Sequence, residues 1–228
     1  MTHFFIEFRF HGYPKQYLKG LIREVSSKFR VKGTIKKRAV PHMTLYGPSQ
    51  TTNIHKVFAA IEKVGKRYTL VPFNVKGFGW FDGKEGKVIH AGITASTELE
   101  KLRQELAEEL SKISTPQSWD ALRDYKFHTT IAFKDINHKF NQIWHYLMTK
   151  EALHINQQLL RVTVLNKDRK ILREYDLVLK RWLNRRQALS GHWWRRTISK
   201  SRELQGLPLE RQPYLMDWFR RIFNWPHW

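Results

Sequence analysis

The sequence predicts an α/β (α+β) fold in which two similar halves, each of order βαβαβ, form antiparallel-rich sheets around a central cleft. Apolar residues alternate between the period of a strand and the period of a helix along the chain. The same order of elements occurs twice, with the opening strands about 84 positions apart. A short His-x-Thr sequence recurs in equivalent strands, 86 positions apart. This weak internal duplication predicts a pseudo-twofold axis that brings the two His-x-Thr strands together.

The first half runs from the N-terminus to about residue 81. Its predicted elements are a strand over 4–10, a helix over 15–29, a strand over 40–46, a helix over 54–66 and an extended run over 69–81. Gly47 and Pro48 are turn signals that are expected to end the second strand, and glycine-containing turns at 82–86 are expected to separate the halves.

The second half repeats this order and ends near residue 180. Its predicted elements are strands over 87–94, 127–133, 159–165 and 171–179, and helices over 98–113 and 140–148. Polar residues at 166–169 predict a hairpin between the last two strands. We therefore expect one domain over 1–180.

Residues 181–228 form a predicted basic, Trp-rich C-terminal helical extension. They hold ten Arg or Lys against three acids, and six of the nine tryptophans. Helices are predicted around 181–189 and 214–223, on either side of a segment broken by Gly and Pro. Three roles stay open: a cap whose aromatic residues pack on the body, a nucleic-acid contact through Arg and Trp, and a contact with an anionic membrane surface.

The charge of the chain indicates a polyanionic partner. Its 41 Lys and Arg exceed its 20 Asp and Glu, for a net charge of +21. Such an excess favours nucleic acid first and an anionic membrane second. No cysteine is present, which leaves no disulfide and no thiolate ligand or nucleophile. The first residues do not have the layout of a signal peptide, and we expect a cytoplasmic monomer.

The two His-x-Thr sequences carry the predicted chemistry. Alternate side chains of a strand point to one face, so His42 projects with Thr44, and His128 projects with Thr130. An imidazole donates or accepts a proton near neutral pH. Hydroxyls donate hydrogen bonds to phosphoryl oxygens. Two imidazoles with two hydroxyls are the groups needed to cleave a phosphodiester, and no motif for a metal site or other cofactor occurs.

On these motifs, His42-Met43-Thr44-Leu45 and His128-Thr129-Thr130-Ile131, residues 1–180 resemble the 2H phosphoesterase superfamily. That group contains the 2′–5′ RNA ligase-like and cyclic phosphodiesterase proteins. The resemblance implies a bilobal fold and opening of a 2′,3′-cyclic phosphate on an RNA end or nucleotide to a 2′-phosphate. It also implies 2′–5′ ligation as a side activity.

Other residues and functions are less constrained by the sequence. Tyr46 and Lys134 lie on the strand faces of Thr44 and Thr130 and are candidate substrate-binding residues, whereas His90 is expected to pack within its strand. Linear 2′–5′ oligonucleotides and cyclic dinucleotides remain alternative substrates. A non-catalytic RNA- or nucleotide-binding module, or an adaptor that works through the extension, are the alternatives to an enzyme.

Overall fold

The computed structural model describes residues 1–34, 40–151 and 153–208. Strands and helices alternate along most of this length. In chain order the strands and helices are β1 (Thr2–Arg9), α1 (Gly12–Phe29), β2 (His42–Thr51), α2 (Ile54–Gly65), β3 (Val71–Gly83), β4 (Gly86–Ala95), α3 (Thr97–Ser111), β5 (His128–Phe133), α4 (Phe140–Met148), β6 (His154–Leu159), β7 (Arg161–Asn166), β8 (Ile171–Asp176), β9 (Arg181–Asn184), α5 (Arg185–Ala188) and α6 (Gly191–Leu204).

The strands form two antiparallel sheets, which confirms the predicted fold class. The five-stranded sheet has the order β2-β1-β7-β8-β9, and the four-stranded sheet has the order β5-β4-β3-β6. Each sheet therefore begins with a His-x-Thr strand at its edge, and the strand that opens the corresponding half lies next to it. The first two strands of each sheet therefore follow the same order, as the predicted duplication requires.

The two sheets exchange strands between the halves of the sequence. The turn at 82–86 was expected to separate the halves, but it joins β3 to β4 as a hairpin in which Gly83 lies opposite Gly86. In the other direction, β7 of the second half pairs with β1. A short turn allows two consecutive antiparallel strands to pair directly. As a result, β3 of the first half lies in the sheet of the second half, and β7 of the second half lies in the sheet of the first.

Several local predictions need correction. β2 does not end at Gly47, because Ser49–Thr51 still pair with β1 and the strand continues to Thr51. The strand β6 was not predicted. Residues 181–184 form β9 rather than a helix, because they extend the sheet by pairing with β8. The helix predicted over 214–223 lies outside the described residues.

One face of the five-stranded sheet packs into the main apolar core, and the other carries polar and charged residues together with a small apolar cluster. Phe4, Ile6 and Phe8 of β1 point into the core and are fully buried. The intervening positions of β1 include Glu7 and Arg9, which share their face with the motif residues of β2. This polar face carries the candidate site.

Among the described residues, no helix is both long and apolar enough to cross a membrane.

Candidate active site

The two histidines occupy the same position in their strands. His42 is the first residue of β2, and His128 is the first residue of β5. Met43 and Leu45 are fully buried beneath the first motif, whereas His42 and Thr44 are partly exposed. In the second motif His128 and Thr130 are likewise partly exposed, while the residues between and after them are buried. The alternation predicted from the sequence is therefore observed in both strands.

Both imidazoles are oriented in the same way. Nδ1 of His42 lies 2.8 Å from the carbonyl oxygen of Val40. Nδ1 of His128 lies 3.0 Å from the carbonyl oxygen of Lys126. A carbonyl only accepts, so each Nδ1 carries the hydrogen in the neutral ring and each Nε2 holds a free lone pair. The two rings therefore offer the same nitrogen for proton transfer.

His128 lies in an aromatic environment. Its ring centroid is 5.1 Å from that of Phe81 and 5.2 Å from that of His90. Burial lowers the pKa of His128 below its usual value, and the positive charge of His42 acts in the same direction, against the Lys126 carbonyl. The effect of the His42 charge on the pKa of His128 indicates that the two imidazoles lie near enough to interact. His128 is held in its neutral form near pH 7.

His42 lies beside a buried carboxylate. Nε2 of His42 is 3.8 Å from Oε2 of Glu7, whose side chain is 4% exposed. The same carboxylate lies 3.4 Å from Nε of Arg9 and 3.6 Å from a guanidinium nitrogen of Arg169. Glu7 therefore supplies negative charge to His42 whenever that ring is protonated. The two histidines differ in environment despite their shared orientation.

The threonine hydroxyls are available to a ligand. Within the described residues, neither the Thr44 nor the Thr130 hydroxyl makes a hydrogen bond, although the Thr44 carbonyl accepts one from Tyr125 at 3.3 Å. Because Tyr125 precedes β5, this bond ties the segment before the second motif to the first motif. The hydroxyls are thus positioned by the backbone and left free to donate.

Glu7 and His90 were not predicted as site residues. Glu7 lies directly opposite Thr44, and His90 lies directly opposite Thr130. They occupy equivalent places in the two sheets. Burial, reinforced by the charge of His128, lowers the pKa of His90 to about 4, so its ring is neutral near pH 7. One signal in the sequence could have identified them: Glu7 and His90 occupy matching positions in the opening strands of the two halves.

Two predicted substrate-binding residues lie elsewhere. Tyr46 is fully buried, and its hydroxyl lies 3.0 Å from that of Ser114. A bulge in the β1–β2 pairing just before Tyr46 breaks the alternation that would have placed it beside Thr44. Lys134 follows the end of β5 with a φ of 72°, and its amine pairs with Glu85 at 2.9 Å. It is therefore directed to the β3–β4 turn rather than along the face of His128.

The described residues do not gather a set of metal ligands. Over 1–34, 40–151 and 153–208, no group of three or more His, Cys, Asp or Glu side chains is arranged to hold a metal ion. The residues at the two motifs are imidazoles, hydroxyls and one carboxylate, which suit proton transfer and hydrogen bonding.

Two antiparallel sheets, each with a His-x-Thr edge strand, define a 2H phosphoesterase. The sequence model of the 2′-5′ RNA ligase superfamily matches residues 18–170, more than half of the chain. The chain belongs to this superfamily, which confirms the resemblance inferred from the motifs. The superfamily acts on phosphodiester bonds, including those of RNA. None of the curated proteins compared with the sequence matches it.

Solved structures show a distant similarity in fold. The protein TT0787 of Thermus thermophilus is 12% identical, with 77% of this chain and 97% of that chain covered and a TM-score of 0.48. Escherichia coli LigT is 11% identical, with 77% and 96% covered and a TM-score of 0.45. Kluyveromyces marxianus Usb1 is 9% identical, with 72% and 93% covered and a TM-score of 0.44. The family assignment rests on the sequence match.

Proposed function

We propose that the protein is a phosphodiesterase that opens 2′,3′-cyclic phosphates on RNA ends or nucleotides to 2′-phosphates by acid–base catalysis, without a metal ion. One observation carries the proposal: two imidazoles, each with Nδ1 held by a backbone carbonyl and Nε2 left free, stand at equivalent positions on two strands. Family membership supports the reaction class. A binding module has no need of two such groups.

The proton transfers balance in a single displacement. The base takes a proton from water as the water oxygen bonds to phosphorus. The bond from phosphorus to the 3′ oxygen breaks, and the acid protonates that oxygen. The Thr44 and Thr130 hydroxyls donate to the non-bridging oxygens as negative charge builds on them. The product carries its phosphate on the 2′ oxygen, and both histidines exchange protonation states.

The environments of the two histidines suggest their roles. Burial disfavours the charged form of His128, which suits it to begin as the neutral base. Glu7 faces Nε2 of His42 at 3.8 Å and provides the countercharge for a protonated acid. We therefore assign His128 as the general base and His42 as the general acid in the opening direction.

The nucleobase has a candidate contact beside His128. Phe81 is 38% exposed, and its ring lies 5.1 Å from that of His128. Aromatic side chains stack on the face of any nucleobase. Phe81 is therefore suited to hold the terminal nucleobase near His128, the proposed general base. The same arrangement would support 2′–5′ ligation if an RNA 5′-hydroxyl took the place of water.

The test uses an RNA oligonucleotide that ends in a 2′,3′-cyclic phosphate, incubated in EDTA. We expect the wild type to open the ring to a 2′-phosphate, and His42→Ala and His128→Ala each to lose at least about 100-fold in rate. Circular dichroism and thermal unfolding of each variant serve as the folding control. Wild-type turnover that requires an added metal, or variants that retain the wild-type rate, would contradict the proposal.

A negative result would separate the remaining alternatives. If the wild type binds this RNA but does not open it, linear 2′–5′ oligonucleotides and cyclic dinucleotides are the next substrates to assay. Binding without turnover of any of them would favour the non-catalytic RNA-binding module.

A further inference from the structure

The polar face that carries His42 continues across the five-stranded sheet. Glu7 lies opposite Thr44 on one side and opposite Thr163 of β7 on the other, and Thr163 lies opposite Glu174 of β8. Residues that are paired directly across antiparallel strands point to the same face. The first motif and the polar residues of β7 and β8 therefore share one surface.

Helix α6 is fixed to this same surface. Arg161, opposite Asp176 in the β7–β8 pairing, is 1% exposed and donates to that carboxylate at 3.0 Å. The Thr197 hydroxyl of α6 hydrogen-bonds to both side chains. The indole of Trp194 covers the Arg161 guanidinium at 3.8 Å. Helix α6 thus flanks the candidate active site on its own side of the sheet.

An arginine patch lies on the docked helix and on the two elements that precede it. It consists of five exposed arginines on β9, α5 and α6: Arg181, Arg185, Arg186, Arg195 and Arg196. The guanidinium of Arg181 lies 4.5 Å from the ring centroid of Trp193, and that of Arg196 lies 4.7 Å from it. One indole therefore holds two cations of the patch near each other.

The patch lacks acidic partners. Among the described residues, no arginine of the patch takes part in an ion pair. Over 181–208 the chain has seven Arg or Lys and a single acid, Glu203, which pairs with Lys200. Like charges held together without carboxylates are suited to bind phosphates.

The patch lies at the far side of the same sheet face as the first motif. Arg181 of β9 lies opposite Asp176 and so shares the face of Arg161 and of the first motif. From β2 to β9 there are four strand spacings, or about 19 Å at about 4.8 Å each. Several nucleotides of a single strand span such a distance. A strand whose end lies in the cleft can therefore reach Arg181.

We propose that the arginine patch binds backbone phosphates of an RNA strand whose cyclic phosphate end occupies the cleft. The proposal rests on the proposed function and narrows its substrate class to an RNA chain rather than a free nucleotide. Arg181 and Arg196 contact phosphates, and Trp193 orders their guanidinium groups. Contacts of this kind position the strand without reading its sequence.

The test compares substrates of different length. Opening of a cyclic mononucleotide and of a ten-nucleotide RNA with a cyclic phosphate end is measured for the wild type and for Arg181→Gln combined with Arg196→Gln. The matched control removes two exposed cations from other helices, by Lys56→Gln combined with Lys101→Gln. We expect the patch variant to lose at least about tenfold in kcat/KM on the ten-nucleotide RNA, mainly through KM, and to match the wild type on the mononucleotide.

Salt dependence supplies a second readout. Each phosphate contact on a single strand contributes about 0.7 to the slope of log affinity against log salt. The patch variant should therefore bind the ten-nucleotide RNA with a slope smaller by about 1.4. An unchanged slope and KM would overturn the proposal, as would an equal loss on both substrates or the same loss in the control.

Binding measured by fluorescence anisotropy keeps this proposal separate from the proposed function. If the wild type opens no cyclic phosphate but binds the RNA in a patch-dependent way, the proposed function fails and the patch still binds RNA. If the wild type opens the cyclic phosphate but the patch variant binds RNA normally, only the patch proposal fails. Patch-dependent binding to phosphatidylserine vesicles without binding to RNA would overturn it in favour of a membrane contact.

Discussion

The imidazole rings of His90 and His128 lie with their centroids 5.2 Å apart. His90 stands opposite Thr130, as Glu7 stands opposite Thr44. The duplicated fold therefore places a neutral imidazole beside one motif and a carboxylate beside the other. This difference gives the two histidines different electrostatic surroundings, and the separate roles proposed for them rest on it.

The threonine hydroxyls are expected to stabilise the transition state. Thr44→Val or Thr130→Val removes one donor at nearly constant volume, and we expect kcat to fall by about 100-fold. Thr44→Ser and Thr130→Ser keep the hydroxyl and should stay within about tenfold of the wild type. Steady-state kinetics with the cyclic phosphate substrate measures both sets. Equal rates for the Val and Ser variants would remove the hydroxyls from the mechanism.

The pH profile should reflect the two environments. The base must be unprotonated, so the rate should fall as the pH drops through the pKa of His128, which burial lowers below its usual value. We expect a bell-shaped profile of kcat/KM whose acidic limb has its midpoint below 6.5. An acidic limb centred above pH 7 would contradict the assignment of His128 as the base.

Gly79 leaves the space that His90 occupies. A Cβ at Gly79 would lie 2.7 Å from Cε1 of His90, too close for an undisturbed ring. We expect Gly79→Ala to displace His90, to lower stability by about 1–3 kcal/mol and to reduce activity. Gly20→Ala, at an exposed position of α1 with nothing within 4 Å, is the control and should stabilise slightly. Chemical denaturation compares the two, and equal stability would refute the role of Gly79.

Thr197 is expected to hold α6 on the sheet. Its hydroxyl bonds to Asp176 and Arg161, which are both almost fully buried. Thr197→Val removes one hydrogen-bond partner from each of these buried charged groups. It should lower the free energy of unfolding by about 1–3 kcal/mol. Thr197→Ser keeps the hydroxyl and should cost less. Urea denaturation measures both, and a Val variant as stable as the wild type would show that the hydroxyl contributes nothing.

His11 should make the fold sensitive to acid. Its ring lies 4.7 Å from that of Trp194 of α6, and burial, with the charges of Arg161 and Lys15, lowers its pKa from 6.5 to about 4. The unfolded chain therefore binds this proton more readily, and stability is lost as the pH falls from 6.5 toward 4. Because each pKa unit corresponds to about 1.4 kcal/mol, the loss reaches up to about 3 kcal/mol.

His11→Phe keeps an aromatic ring that does not titrate. We expect this variant to lose less stability between pH 7 and pH 4.5 than the wild type, as measured by urea denaturation at both values. His3→Phe, at an exposed position of β1, is the matched control and should behave as the wild type. Equal acid sensitivity in all three proteins would show that His11 is not responsible.

The motifs and the duplicated order of elements could be predicted because they depend on local patterns. Strand periodicity placed His42 and Thr44 on one face, and the structure agrees. The helix at 140–148 matches α4 in both bounds. Tyr46 was misplaced, since a bulge depends on pairing with β1 and leaves no signal in the local sequence. Strand β9 was mistaken for a helix, since its conformation comes from pairing with β8.

The sequence by itself determined the family, the two His-x-Thr motifs and the excess of positive charge, because these are properties of residue type and spacing. Only the tertiary structure decided which strands exchange between the halves, and that Glu7 and His90 stand beside the motifs. It also decided that α6 docks on the face of His42. Such relationships join residues far apart in the chain, and pairing and burial across the sheets establish them.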